Sequence, residues 1–328
     1  MTNIRIKDVA IYHPNNEKGN GYFIDHFKEK GRDITNFLKT MGRERRYIID
    51  NDQENTITMG IESAKKVLEK TGLSGNEIDM VIFSTQVPEM TFPTNAMYVH
   101  HAIGGKERAV VQDSNANCAG MTVSVEQAAR YLMSNPRMKT ALVVGSDYNS
   151  LIANPEEEIT YANYGDASAA VVLEKTEEET GFIDSVFSVN SGFKDNILYP
   201  EKGLAQSVKG TGNVEAIKWL PFDGTVSLPD TYRMIEELIE QNDLTINDID
   251  HFCLSQFALT NILKIQGQFD IPDKKITYIG DEFGYTGTSS PFIALHEGVE
   301  KGQIKRGDKV LFWTIGTGHI LIAMLFQY

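Results

Sequence analysis

The sequence predicts an α/β protein with sheets buried on both faces. Three observations carry this. Strand-like and helix-like stretches alternate along the 328 residues, the pattern of α/β chains. The runs Asp79-Met80-Val81-Ile82-Phe83-Ser84 and Thr140-Ala141-Leu142-Val143-Val144-Gly145 are almost continuously apolar, which suits strands covered on two sides. Residues 140–174 and residues 308–326 each bring a strand, a small-residue turn and another apolar strand.

Taken in order, Met1-Thr2-Asn3-Ile4-Arg5 lacks an apolar signal-peptide core. Thr58 to Thr71 spaces its apolar residues for an amphipathic helix that stops before Gly72. Ala109-Val110-Val111 is a short apolar stretch, and Met121 to Met133 is a helix-like run ending near Ser134-Asn135-Pro136. Gly165 to Leu173 is a small-residue turn entering a strand, and the strands Lys309 to Thr314 and His319 to Phe326 flank Gly316-Thr317-Gly318. Two duplicated halves, 1–175 and 176–328, would explain the similar endings, and so would chance likeness of two buried strands. Asn190 to Pro221 is rich in Gly, Ser, Asn and Lys without periodicity. It is expected to be a long loop, either functional or a plain surface excursion.

Composition narrows the function classes. With 41% hydrophobic and 23% charged residues, the chain reads as an ordinary soluble globular protein. A formal charge of −14 argues against non-specific nucleic-acid binding. No run approaches the roughly 18 apolar residues of a membrane span. The only cysteines are Cys118 and Cys253, so no disulfide framework is expected and a reducing cytoplasm fits. No metal site or cofactor is expected.

Cys118 is the most informative residue. It lies in Asp113-Ser114-Asn115-Ala116-Asn117-Cys118-Ala119-Gly120-Met121, between a strand-like and a helix-like run. A cysteine at such a junction is expected to have its sulfur near unpaired backbone N–H groups, which with the helix dipole favour the thiolate nucleophile. The other reading is a small buried hydrophobe.

Several motifs in register resemble the thiolase superfamily, and within it 3-oxoacyl-acyl-carrier-protein synthase III. Arg43-Glu44-Arg45 is similar to the end of that family's Gly-Ile-Arg-Glu-Arg, and Phe92-Pro93-Thr94-Asn95-Ala96 to its Phe-Pro-Ser-Ala-Ala. Ala116-Asn117-Cys118-Ala119-Gly120 resembles Ala-Ala-Cys-Ala-Gly, followed by Val143-Val144-Gly145-Ser146-Asp147 and by Tyr164-Gly165-Asp166-Ala167-Ser168-Ala169-Ala170. Gly302 to Asp308 and Gly316-Thr317-Gly318 match in order and spacing. The resemblance implies a five-layer αβαβα fold, a homodimer, and an acyl thioester on Cys118 supplied by an acyl-carrier protein or coenzyme A. It implies an oxyanion hole from the N–H of Cys118 and one near Thr317. Phe92 is implied to reach into a partner's acyl pocket, and Gly316 and His319 are implied to border the substrate.

The resemblance breaks where the family has its His and Asn. Gln256 and Leu259 align with His-Gln-Ala-Asn-Leu, so Ser255 takes the His position; a one-residue shift would give it to Gln256. In Phe283-Gly284-Tyr285-Thr286-Gly287, Tyr285 replaces the Asn of His-Gly-Asn-Thr-Ser. Ser255 and Tyr285 can donate hydrogen bonds, but neither brings the positive charge or near-neutral titration of an imidazole. Decarboxylative condensation is therefore expected to be weak. Among the seven histidines, His319 and His251 are candidate substitute bases; Glu89 is another. Gln86 stands about where the hydroxymethylglutaryl-CoA synthases have their Glu. Thr35 and Glu158 replace the Trp and Arg that hold the coenzyme A adenine, and Thr260 replaces a basic residue for carrier-protein docking. Three functions follow: a specialised acyltransferase, a non-catalytic subunit paired with an active relative as a heterodimer, or an ordinary condensing enzyme.

Overall fold

The continuous apolar runs become neighbouring inner strands of the first of two stacked sheets in the computed structural model, which describes residues 3–210 and 216–328. The strands of the main sheets are β1 (Asn3–Tyr12), β2 (Met80–Ser84), β3 (Val110–Ser114), β4 (Thr140–Asp147), β5 (Ala167–Thr176), β6 (Gly181–Val189), β7 (His251–Leu254), β8 (Lys309–Gly316) and β9 (Ile320–Gln327). The first sheet has the order β1-β5-β4-β2-β3 and the second β7-β8-β9-β6. In the first, β2 is parallel to β3 and β4, while β5 is antiparallel to β4 and β1. In the second, β7 is parallel to β8, and β9 is antiparallel to β8 and β6. The directions β2-β4-β5-β1 thus recur in β7-β8-β9-β6.

Helices α1 (Thr56–Thr71), α2 (Asn95–Ala102), α3 (Gly120–Ser134), α4 (Leu228–Glu240), α5 (Leu259–Gln268) and α6 (Ser290–Glu300) complete the layers. The apolar stripe of α1 predicted from spacing is real: Ile57, Ala64, Val67 and Leu68 are buried, and the helix packs on β1, β5 and β4. Asn55 and Thr58 cap its start reciprocally, and Gly72 ends it at φ 70°, a conformation favouring glycine. Helices α3 and α6 each contact both sheets, whereas α4 packs on the outer face of β6 and β9. The result is five layers, αβαβα, and α3 in the middle is buried along most of its length.

The segment from Asn190 to Pro221 differs from the expected loop. Ile197–Leu198 pairs antiparallel with Lys218–Trp219, and Leu204–Lys209 is a short helix; residues 211–215 lie outside the described residues. The cause is tertiary: Ile217 is buried with Val87 and Ile152, and its N–H donates to the Ile152 carbonyl at 2.8 Å. Such contacts leave no periodic trace in sequence. Among the described residues no helix is long and apolar enough to cross a membrane.

Arg43 joins these layers. Its guanidinium is buried and donates to Asn163 Oδ1 at 2.6 Å, the Tyr278 hydroxyl at 3.0 Å, and the carbonyls of Gly280, Gln256 and Phe257 at 2.9, 2.6 and 2.7 Å. A guanidinium has five N–H groups in a fixed fork, whereas an ammonium has three donors. Removing it leaves several buried acceptors unpaired, each costing about 1–3 kcal/mol. Arg43→Met is expected to lower the chemical denaturation midpoint by about 3 kcal/mol or more of stability, and Arg43→Lys by less. A midpoint unchanged in both variants contradicts this role.

Candidate active site

A left-handed residue sets up the site. Asn117 has φ 53°, which Asn tolerates better than most residues, and the sharp turn presents Cys118 just ahead of α3. Of the expected free N–H groups, that of Cys118 itself stays at the thiol, and the next three are already occupied. Ala119 N donates to Ala116 O at 3.1 Å and Gly120 N to Asn117 O at 2.9 Å. Met121 N donates to Thr288 Oγ1 at 2.6 Å. The Cys118 thiol instead faces Gln86 Oε1 at 3.4 Å.

That amide is held in one orientation. Gln86 Nε2 donates to Asn149 Oδ1 at 3.0 Å, and Asn149 Nδ2 donates to the Gly165 carbonyl at 3.4 Å. A backbone carbonyl is only an acceptor, so the relay turns the Gln86 carbonyl, not its NH2, toward sulfur. The expectation of a ready thiolate is therefore corrected. Burial pushes the Cys118 thiol up to about 12, with the nearby Tyr285 hydroxyl pulling it down less and the Asp147 carboxylate pushing it further up. Asp147 is itself raised to about 7 by burial. It ties the site together by accepting from Thr85 Oγ1, Gln86 N and Thr288 N at 2.9, 2.8 and 2.8 Å.

A cavity of about 120 Å³ opens above the thiol. It brings together Cys118, Ser255, Tyr285, Gly316, Thr317 and His319. The register question between Ser255 and Gln256 resolves in favour of Ser255. Gln256 points into the core, where its Nε2 donates to Leu254 O at 2.8 Å and its Oε1 accepts from Ile279 N at 3.0 Å. Ser255 is buried with its Oγ unpartnered. Tyr285 interacts through its hydroxyl with both the Cys118 thiol and Ser255, but neither contact closes into a full hydrogen bond. Burial raises that phenol well above its usual range.

The glycine turn approaches the cysteine loop closely. A Cβ on Gly316 would stand 2.4 Å from the Ala116 carbonyl oxygen, so only glycine fits. Asn117 Nδ2 reaches the Thr317 carbonyl at 3.5 Å, and Thr314 Oγ1 donates to the Cys118 carbonyl at 3.2 Å. His319 has φ 63°; its ring stacks on Phe193 at 5.2 Å, and its Nε2 is 3.4 Å from Asp230 Oδ2. The opposite wall is aromatic. Trp219 stacks between Phe222 at 6.0 Å and Phe257 at 5.4 Å. Phe193 and Trp219 come from the segment expected to be a loop, and sequence reasoning did not identify them; its aromatics, Trp219 two residues after Ile217 above all, were the available signal.

Other candidates lie elsewhere. His251 is buried at the start of β7, hydrogen-bonded to Thr277 Oγ1 at 2.7 Å, and burial lowers its imidazole to about 4. It is not a cavity base. Glu89 is exposed and absent from the cavity lining. Glu158 is ion-paired with Arg32, and its neighbour Glu156 with Lys30. Phe92 is 86% exposed and does not line this chain's own cavity.

Five layers with a cysteine between the end of a sheet strand and the central helix, facing a glycine turn from the second sheet, define a thiolase-like protein. Comparisons agree. Residues 112–191 match the 3-oxoacyl-[acyl-carrier-protein (ACP)] synthase III family and residues 239–328 its C-terminal region. The chain is 31% identical over 287 residues to beta-ketoacyl-[acyl-carrier-protein] synthase III of Ehrlichia canis (strain Jake), covering 86% of each. It is 28% identical over 324 residues to the protein of that name from Coxiella burnetii (strain CbuK_Q154), covering 97% of each. The 3-oxoacyl-[acyl-carrier-protein] synthase III structure from Aquifex aeolicus VF5 superposes with a TM-score of 0.85 over 100% of both chains at 22% identity. The chain belongs to the 3-oxoacyl-acyl-carrier-protein synthase III family of acyltransferases.

The thiol assignment is testable by difference titration. Subtracting the ultraviolet spectrum of Cys118→Ala from that of the native protein removes Cys253 and the tyrosines. No thiolate absorbance is expected until the pH approaches about 12. A thiolate step at or below about pH 9, near an unperturbed cysteine, contradicts it.

Proposed function

We propose that this chain is an acyltransferase that carries an acyl group as a thioester on Cys118 and does not decarboxylate malonyl thioesters efficiently. The observation that carries this is the composition of the cavity. Cys118 and the Gly316-Thr317-Gly318 turn are retained, while Ser255 and Tyr285 are the hydroxyl donors beside them. Among the described residues the cavity lining contains no Lys or Arg, so none of these supplies a guanidinium or ammonium to a malonyl carboxylate.

In this reading the N–H groups of Cys118 and Thr317 hold the thioester oxygen as charge develops on it. Ser255 and Tyr285 are the donors nearest an enolate, and both are neutral. The donor is an acyl-carrier protein or acyl-coenzyme A thioester. The strand pattern repeated in the two sheets supports duplicated halves, 1–175 and 176–328. Exposed Phe92, Met90, Met97 and Tyr98 near the edge strand β3 support a dimer. The cysteines are unpaired, which fits the cytoplasm.

The high thiol pKa favours a second reading, a weakly catalytic subunit paired with an active relative. Intact mass after incubation with acyl-coenzyme A and acyl-carrier donors separates the two. Acylation is expected in the native protein and not in Cys118→Ala; no acylation with any donor favours the subunit. Losing one good oxyanion donor costs roughly 10²–10³ in rate. Carbon dioxide release from malonyl-carrier protein is therefore expected to be near background, and higher in Ser255→His with Tyr285→Asn. Brisk release by the native protein would instead favour the ordinary condensing enzyme. Sedimentation at micromolar concentration is expected to give a dimer mass, and a monomer mass opposes it.

A further inference from the structure

We propose that Gln86 is a catalytic residue whose amide oxygen receives the O–H or N–H of the acyl acceptor, and that this acceptor is a neutral alcohol or aromatic amine rather than a carbon nucleophile. The inference rests on the reading of Cys118 as the acylated residue and names the class of its second substrate. Three observations carry it. Gln86 Oε1 lies 3.4 Å from the Cys118 sulfur, in contact with the reacting atom. The amide is held from behind: Nε2 donates to Asn149 Oδ1 at 3.0 Å, and Asn149 Nδ2 donates to the Gly165 carbonyl at 3.4 Å. The side turned to sulfur is therefore an acceptor, and the relay keeps it one. Among the described residues the thiol is the only donor on Oε1.

Acylation takes that donor away. A thioester sulfur carries no hydrogen, so the acyl enzyme leaves a fixed carbonyl without a partner at the reacting centre, an unfavourable state. A second substrate bringing an O–H or N–H restores the hydrogen bond and is thereby held with its oxygen or nitrogen beside the thioester. A malonyl carboxylate or its enolate brings only acceptor oxygens, which a second acceptor repels. Ser255 Oγ in the same cavity is buried and also unpartnered, so the chamber offers more hydrogen bonding than the protein itself uses. Among the described residues its lining holds no Asp, Glu, Lys or Arg. An alkylammonium would arrive charged with no carboxylate to meet it, which is costly. An alcohol or aromatic amine arrives neutral, and the stacked rings of Trp219, Phe222 and Phe257 suit its apolar body.

The step balances without another reactant. The acceptor's oxygen or nitrogen bonds to the acyl carbon, the carbon–sulfur bond breaks, and the acceptor's proton goes to the sulfur. Acyl thioester and alcohol or amine become ester or amide and free thiol. Burial, which pushes the Cys118 thiol up to about 12, favours this course of the proton, since a sulfur leaving as a buried anion is disfavoured. The restored S–H donates to Gln86 Oε1, and the resting contact returns. Water satisfies the same carbonyl, so slow hydrolysis of the acyl enzyme is the background reaction.

The experiment loads the protein from an acyl-coenzyme A, or from a small activated thioester where a variant loads slowly, removes the donor by gel filtration, and follows loss of the acyl mass from Cys118. The chases are buffer, butanol, benzyl alcohol, aniline and malonyl-coenzyme A, with products identified by mass spectrometry. At least one alcohol or aniline is expected to discharge the native acyl enzyme about tenfold or more faster than buffer, giving the ester or amide, while malonyl-coenzyme A matches buffer. In the loaded fraction of Gln86→Met, which lacks the acceptor oxygen, about 10–100-fold of that rate is expected to be lost. Gln86→Glu, which keeps acceptor oxygens, is expected to lose less. Discharge no faster than buffer with both alcohols and aniline overturns the acceptor class, and so does a 3-oxoacyl product from malonyl-coenzyme A. A native-like chase in Gln86→Met overturns the role of Gln86. Equal losses in the Met and Glu variants assign the side chain to packing and overturn it too. Failure of the native protein to acylate at Cys118 removes the underlying reading as well.

Discussion

The site depends on one buried cation. Arg43 has no carboxylate among its hydrogen-bond partners, and burial lowers its affinity for its proton. It is kept in place by filling all its directions with oxygen acceptors, which is the condition for burying such a group. Its partners are the loops that carry the chemistry. Asn163 precedes Tyr164, Gln256 and Phe257 follow Ser255, and Gly280 leads toward Tyr285. The chain at Asn163 and Gly165 is further clamped to Tyr285, with Tyr285 N donating to Asn163 O at 2.9 Å and Gly165 N to Tyr285 O at 3.0 Å. The positions of Ser255 and Tyr285 are thus set from behind, by a group that never enters the cavity.

The thiol is subject to opposing pulls that a local view misses. The helix start beneath it offers little, because its first amides serve the turn and Thr288. Gln86 accepts from the thiol, while burial and the negative charge of Asp147 below disfavour losing the proton. The arrangement stores Cys118 as a thiol rather than as a thiolate. A neutral sulfur in an apolar pocket needs less compensation than a buried anion, which fits a cavity wall built from stacked rings.

Local signals were legible in the sequence, and long-range ones were not. The α1 helix, the strands β2 and β4, and the strand–cysteine–helix junction each depend on a dozen neighbouring residues or fewer. Their outlines matched to within two residues at the ends, except that the strand before Cys118 runs three residues past Val111. The assignment of Ser255 rather than Gln256 to the cavity needed the strand's facing, which a one-residue slip reverses. The protonation of Cys118 was misjudged because the burying groups, Tyr285 and Asp147, are distant in sequence. The ion pairs of Glu156 and Glu158 left no signal in the sequence because their partners, Lys30 and Arg32, lie more than a hundred residues earlier. Ile197–Leu198 and Lys218–Trp219 were invisible as strands since each is only two residues long.

That last ribbon has a consequence for how this scaffold diversifies. Phe193, Ile197, Ile217 and Trp219 shape one side of the chamber, yet they belong to neither main sheet. Exchanging a side chain there alters the room available to a bound chain without touching a ladder hydrogen bond of β1 to β9. The frame and the mould are separate parts of the polypeptide, so acyl preference can drift while the architecture stays fixed.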